Sequence, residues 1–167
     1  MGFLSGAYGK LMAGKLVRDL QYQMTSVQSR LRRVTREIGD MEKNMQTQER
    51  NMNAQFQNQS IWAMQGLQSG VVRDASGNID QDSYQAYIYG QQMAQSQVAM
   101  AKTMWQNMFE MEREAQLQPL KDLEDSLQTE KDNLESRLKI AQAEYDAKKE
   151  EEKAGVKGLT PDYTGQG

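Results

Sequence analysis

Apolar side chains repeat with alternating steps of three and four residues from Val17 to Met52. This spacing keeps one apolar stripe on a single helix face, the pattern by which helices pack as coiled coils. Polar residues enter the stripe only from Gln48 onward. The repeat therefore predicts a long coiled-coil helix with a seam formed by Val17, Leu20, Met24, Val27, Leu31, Val34, Ile38 and Met41.

A second stripe with the same spacing lies towards the C-terminus. Its predicted seam residues are Leu120, Leu127, Leu134 and Leu138. Upstream, methionines from Met93 to Met111 repeat in a different phase, and the phase changes near Pro119. Because proline removes an intrahelical hydrogen bond, we expect a kink or a fresh helix start there.

The segment between the two patterns is rich in turn-forming residues such as Gly70, Asp74, Gly77 and Asn78. Asp80, Asp82 or Ser83 would cap the following helix. The sequence thus predicts an all-α fold, a long antiparallel helical hairpin with its turn at about residues 70–80. Three segments are expected: a Gly-rich amphipathic N-terminal arm at 1–15, the hairpin at 16–154, and an irregular, flexible tail at 155–167.

The distribution of charge supports antiparallel pairing. Residues 1–73 carry a net charge of +5 and residues 74–167 a net charge of −8, which together give the −3 of the whole chain. A turn centred near residue 75 would place residue i opposite about 150 − i. The basic run at 30–36 would then face residues 114–120 and the acidic side chains that flank them.

Charge is almost absent near the turn in both arms. The only charged residues in 44–69 are Glu49 and Arg50, and the only charged residues in 81–106 are Asp82 and Lys102. Because a solvated helix face is normally charged, we expect these two neutral segments to be buried against copies of the same chain. The large side chains of these segments form either this interface or an ordinary hydrophobic core. The predicted interface residues are Met52, Phe56, Trp62, Tyr84, Tyr87, Tyr89, Met93, Met100, Met104 and Trp105.

The N-terminal arm carries apolar residues that share roughly one helical face, together with Lys10, Lys15 and Arg18. Such a segment is typical of contact with a membrane surface or with a neighbouring subunit, and its glycines also allow a disordered arm. The residues expected to make this contact are Phe3, Leu4, Tyr8, Leu11 and Met12.

Several classes of function are disfavoured by composition. The chain has no cysteine and no histidine, which removes thiol nucleophiles, imidazole bases and the usual zinc ligand sets, and no cofactor motif is found. The turn resembles a calcium loop, but Ile79 and Gln85 stand where glycine and glutamate are required. The acidic arm opposite the arginines disfavours nucleic acid, and an enzymatic role has no support.

No motif identifies a family. The expected architecture is similar to that of secreted helical hairpins such as type III needle and filament subunits; the small Trp-x-Gly hairpins are also similar, although Trp62 lacks the following x-Gly. We expect a non-enzymatic, self-associating subunit of a filament, tube or large complex, with other proteins of that assembly as partners. The alternative is a soluble coiled-coil adaptor or chaperone that could meet a membrane through residues 2–18. Without a cleavable signal or a membrane-spanning segment, the expected location is cytoplasmic or reached by a leaderless export route.

Overall fold

A computed structural model describes the backbone of residues 2–159 and the side chains of residues 5–158. Two helices dominate it: α1, Gly2–Gln68, and α2, Gln81–Leu159. They pack against each other as an antiparallel hairpin, and within the described residues the remaining pairing is one isolated β-bridge between Arg73 and Ile79. The predicted all-α hairpin is confirmed.

Both helices extend beyond the predicted segment boundaries. α1 begins at Gly2, so the expected N-terminal arm is helical and continuous with the hairpin. α2 ends at Leu159, so residues 155–159, expected to be irregular, form its last turn. The rest of the expected tail, residues 160–167, lies outside the described residues.

Pro119 lies inside α2, which continues as a helix on both sides of it. The predicted fresh helix start is therefore not observed, and the predicted kink is not confirmed. A proline removes one backbone hydrogen bond. Leu117 and Leu127 are both buried, so α2 keeps apolar packing on both sides of the proline.

The chain divides into two compact units. Unit 1 combines residues 2–36 of α1 with residues 120–159 of α2. Its core is the predicted seam, in which Val17, Met24, Leu31 and Leu120 are half-buried. The buried core residues of unit 1 are Leu20, Val27, Val34, Leu127, Leu134, Leu138 and Ala141.

Unit 2, Glu37–Pro119, contains the turn and most of both neutral segments. Its buried apolar residues are Ile38, Met45 and Leu117, and Met41 is half-buried. No residue from 46 to 116 is buried. The part of the hairpin nearest the turn is therefore held by a seam that excludes water only in part.

The turn has a defined hydrogen-bonded structure. The amide of Asp74 donates to the carbonyl of Asn78 (2.8 Å), and the amide of Asp80 donates to the carbonyl of Val72 (3.1 Å). Gly77 has a φ of 81°, a left-handed conformation that glycine adopts without steric cost. Of the three predicted capping residues, Asp80 caps α2, because its carboxylate accepts the amide of Ser83 (3.1 Å).

The register of the hairpin differs from the predicted one. Facing residues have numbers that sum to about 158 rather than 150. The reason is that the connection is asymmetric. The amide of Val72 donates to Oγ of Ser83 (3.3 Å), so the first turns of α2 lie beside the connection and not beside α1. The pairs that define the register are Gly14 with Tyr145 and Thr35 with Glu124 in unit 1, and Phe56 with Trp105 and Leu67 with Gly90 in unit 2.

Candidate interaction surfaces

The N-terminal part of α1 packs closely on the C-terminal part of α2. Gly6 is buried, and a Cβ added there would lie 3.3 Å from the backbone nitrogen of Glu152. The two backbones approach this closely because glycine has no side chain. Nearby, Lys10 Nζ donates to Glu152 Oε2 (2.7 Å), a hydrogen bond that raises the pKa of Lys10.

The opposite face of this part of α1 is apolar and open. Tyr8, Leu11 and Met12 are 68%, 70% and 53% exposed, and Lys15 is exposed beside them. Phe3 and Leu4, predicted to belong to the same surface, lie outside the residues whose side chains are described. The face that the sequence assigned to a membrane or a neighbour is thus covered by nothing in residues 5–158.

Four of the predicted interface residues contribute to packing within the chain. Met52, Phe56, Tyr87 and Trp105 are half-buried. The rings of Phe56 and Trp105 meet edge to face with centroids 6.2 Å apart. Trp105 also stacks on Phe109 at 4.8 Å, a residue absent from the predicted interface although its i, i+4 spacing from Trp105 points to the same helix face.

This packing in unit 2 is incomplete. The Oδ1 atom of Asn53 is buried and accepts no hydrogen bond from the described residues. An unsatisfied polar atom of this kind is unfavourable. Apolar burial in the same region is partial, so the neutral segments are not stabilised by a core comparable to that of unit 1.

The other predicted interface residues point outward. Trp62 on α1 is 73% exposed, and Tyr84 near the start of α2 is also exposed. On α2, large apolar side chains recur with a heptad-like spacing over one arc of about 100°. We name them the outward stripe: Tyr89, Met93, Met100, Met104, Met108 and Met111, with exposures between 45% and 73%.

The outward stripe is distinct from the face that α2 turns towards α1. At 3.6 residues per turn, its centre lies about 120° around the helix from Ala94, Val98 and Trp105, which are half-buried. Of its members, Met108 was missed by sequence analysis because it lies one residue out of the strict repeat. α2 therefore carries two apolar faces. One of them packs against α1, and the other, the outward stripe, is left exposed by residues 5–158.

The basic run at 30–36 lies on α1, but within residues 5–158 its arginines form no ion pair with the acidic side chains of α2. The hydrogen bond from Thr35 Oγ1 to Glu124 Oε1 (2.7 Å) brings residues 30–36 level with residues 122–128, not 114–120. Arg30, Arg32, Arg33 and Arg36 are exposed. Among residues 5–158, none of these arginines lies within 4 Å of a carboxylate oxygen.

The carboxylates of the turn are engaged with the backbone. Asp74 Oδ1 accepts the amide of Ser76 (2.5 Å), and Asp80 Oδ2 accepts that of Ser83. Such contacts are ordinary turn and cap chemistry. In the described part of the chain, no group of three or more acidic residues is arranged to hold a metal ion.

Neither α1 nor α2, over the residues described, contains a stretch long and apolar enough to traverse a lipid bilayer. No protein-family model, curated protein or solved structure matches the chain. Inference about its function therefore depends on the surfaces described above.

Proposed function

We propose that the protein is a non-enzymatic assembly subunit that associates with copies of itself through the outward stripe of unit 2. One observation carries the proposal: no residue from 46 to 116 is buried, while six large apolar side chains of the same unit are exposed along one face of α2. A surface of this kind is typical of an interface rather than of a solvated helix.

The periodicity of the stripe indicates the shape of the partner. A heptad-like apolar row fits another helix, because the partner's side chains enter the spaces between successive knobs. The row runs from Tyr89 to Met111, too long for a small ligand. The same row on a second copy supplies a helix of equal length and matching apolar character.

The free energy of burying the stripe is sufficient for association. Complete burial of one such side chain stabilises by about 1.5–3 kcal/mol. Applied to the exposed fractions of the six residues, burial gives roughly 6–11 kcal/mol per copy, and both copies contribute. Association costs about 4–15 kcal/mol in lost freedom, so a pair of stripes offsets this cost.

Light scattering and sedimentation across a range of concentrations test the proposal. The wild-type protein should form oligomers, whereas Met100→Glu/Met104→Glu should remain a monomer because its new carboxylates would be desolvated in the interface. Gln95→Glu/Ala99→Glu is the matched control: it places two carboxylates at the same i, i+4 spacing on another exposed face of α2.

Circular dichroism should show all three proteins equally helical. Oligomers in the wild type and the control, together with a monomeric stripe variant, would support the proposal. A wild-type monomer at all concentrations, or normal oligomers of the stripe variant, would contradict it and favour an adaptor that binds a different protein.

A second candidate function is a membrane-peripheral adaptor. It is favoured by the exposed Tyr8, Leu11 and Met12 beside Lys15 on the N-terminal face of α1. Flotation with vesicles that contain anionic lipid tests it. The wild type should float with the vesicles, and Leu11→Glu/Met12→Glu should not; equal flotation of the two proteins, or none, would contradict this function.

A further inference from the structure

Unit 1 has a basic outer face on α1. Arg32, Arg33 and Arg36 follow Thr25 and Ser29 along one side of the helix, all exposed, and they line a shallow groove of about 310 Å³. At 3.6 residues per turn this side lies about 180° from the buried residues of the same helix. We name these five residues the basic strip.

Unit 1 also has an acidic outer face on α2. Asp122, Asp125 and Asp132, with Thr129 between them, are exposed and lie about 180° around α2 from its buried seam. Lys121 lies at the edge of this row. We name the three aspartates and Thr129 the acidic strip.

The two strips lie at the same level of unit 1. Facing residues in this unit have numbers that sum to about 158, as the contacts of Gly6 with Glu152 and of Gly14 with Tyr145 establish. The pairs at one level by this rule are Arg36 with Asp122, Arg33 with Asp125, Ser29 with Thr129, and Thr25 with Asp132. The two strips face away from each other on opposite sides of the helix pair, so the chain cannot join them internally.

We infer that copies of the protein stack side by side through unit 1, the basic strip of one copy against the acidic strip of the next. The partner is a second copy because, without any axial shift, it brings an aspartate to Arg33 and to Arg36 and a hydroxyl to Ser29. This inference rests on the proposed self-association and adds to it a second contact, which forms only between copies that the outward stripe already brings together, because exposed ion pairs are individually weak.

The contact would be directional. Each copy presents its basic strip to one neighbour and its acidic strip to another, so the interface joins two different surfaces. A pair of copies therefore has an unpaired strip at each end. Such head-to-tail contacts generate rings when the rotation closes and open arrays when it does not. Together with the outward stripe, this contact would give each copy more than one neighbour.

Charge reversal tests the contact. Arg33→Glu/Arg36→Glu leaves both faces acidic, and Asp122→Lys/Asp125→Lys leaves both faces basic. Each variant alone should lose at least about tenfold in the side-by-side association constant at low ionic strength, since exposed ion pairs are individually weak but here act together. An equimolar mixture should restore association, because each face then meets its opposite.

Cysteine cross-linking tests the geometry, since the chain has no cysteine of its own. Ser29→Cys/Thr129→Cys should oxidise to a ladder of covalent oligomers, whereas either single variant should give no covalent dimer. Covalent dimers of the Ser29→Cys single variant would mean that like strips meet and would overturn the inference. So would a mixture of the charge variants that shows no more side-by-side association than either variant alone.

The outcomes separate this inference from the proposed function. If the wild type never associates, the proposed function fails and the inference fails with it. If the wild type associates but the charge variants behave like it, only the side-by-side contact is overturned. Tight binding of a nucleic acid to the basic strip, with no effect of the charge variants on association, would also overturn it in favour of a polyanion partner.

Discussion

Replacing Leu127 by alanine tests whether the seam of unit 1 holds the hairpin together. Leu127 is 2% exposed, so almost its whole side chain is removed from water. The change deletes three carbon atoms, and at about 0.8 kcal/mol for each the lost burial amounts to about 2.4 kcal/mol. Two helices can move together to fill part of the space, which keeps the cavity contribution small, and we expect a loss of about 2–3 kcal/mol.

Met104→Ala is the matched control in the other unit. Met104 is 65% exposed, so about one third of its side chain is buried by its own chain. By the same reasoning the loss should be below about 1 kcal/mol, and the high helix propensity of alanine reduces it further.

The assay is thermal unfolding followed by circular dichroism, at protein concentrations low enough for the chain to be monomeric. For a chain of this size 1 kcal/mol corresponds to about 2–4 °C, so Leu127→Ala should lower Tm by roughly 5–10 °C and Met104→Ala by less than about 3 °C. Equal decreases for the two variants, or a larger one for Met104→Ala, would refute the assignment of the seam and of the outward stripe.

Three further changes probe individual contacts. Gly6→Leu should separate the helix ends, because even a Cβ at this position would lie 3.3 Å from the backbone of Glu152; amide exchange near both termini should accelerate, while a Gly39→Leu control, with open space around its Cβ, should not change it. Asp80→Ala should destabilise the start of α2 by about 1 kcal/mol through loss of its cap, measured by thermal unfolding against an Asp82→Ala control. Because Glu152 raises the pKa of Lys10, the stabilisation by this pair is complete below the ordinary pKa of 10.5 and is lost as pH rises through the folded-state value. The Tm of Lys10→Met should therefore decline less steeply above about pH 10.5 than the Tm of the wild type.

The helices and the seam of unit 1 could be predicted from the sequence because heptad spacing is a local property. The repeat that starts at Val17 places Leu20, Val27 and Val34 on one face whatever lies opposite, and these residues are buried. The N-terminal glycines were harder to interpret. Their composition allows disorder, and only the approach of Gly6 to Glu152 shows why small residues are needed there.

The register could not be predicted because it depends on the path of the connection. Counting outward from residue 75 assumes that the two helices begin at equal distances from the turn. In the structure Leu67 faces Gly90, since Val72 in the connection hydrogen-bonds to Ser83 in the first turn of α2. An error of about eight residues placed the basic run opposite residues 114–120 instead of 122–128. Asp122 and Asp125 were therefore predicted only as acidic residues that flank the facing segment, and Asp132 was not predicted.

The predicted interface was divided by the structure for a related reason. Composition marks residues 44–69 and 81–106 as neutral but does not tell which face of each helix meets the other. Phe56 and Trp105 lie on the shared face, whereas Met100 and Met104 lie about 120° away on the outward stripe. Because α2 carries two apolar faces, the spacing of apolar residues does not by itself tell which face packs against α1.

The difference in burial between the two units also predicts how the protein opens. Ordering one residue costs about 1–2 kcal/mol in backbone entropy, which apolar burial must offset. The buried side chains of the seam are Leu20, Val27 and Val34 in residues 20–34 and Leu127, Leu134, Leu138 and Ala141 in residues 127–141, whereas residues 46–116 contain no buried side chain. In a dilute monomer, amides in unit 2 near the turn should therefore exchange faster than those in the core of unit 1.

If copies cover the outward stripe, protection of residues 89–111 should rise with protein concentration, and Met100→Glu/Met104→Glu should abolish that rise. Protection that is uniform along both helices and independent of concentration would show that the turn-proximal hairpin is stable alone, and its exposed methionines would then need a different explanation.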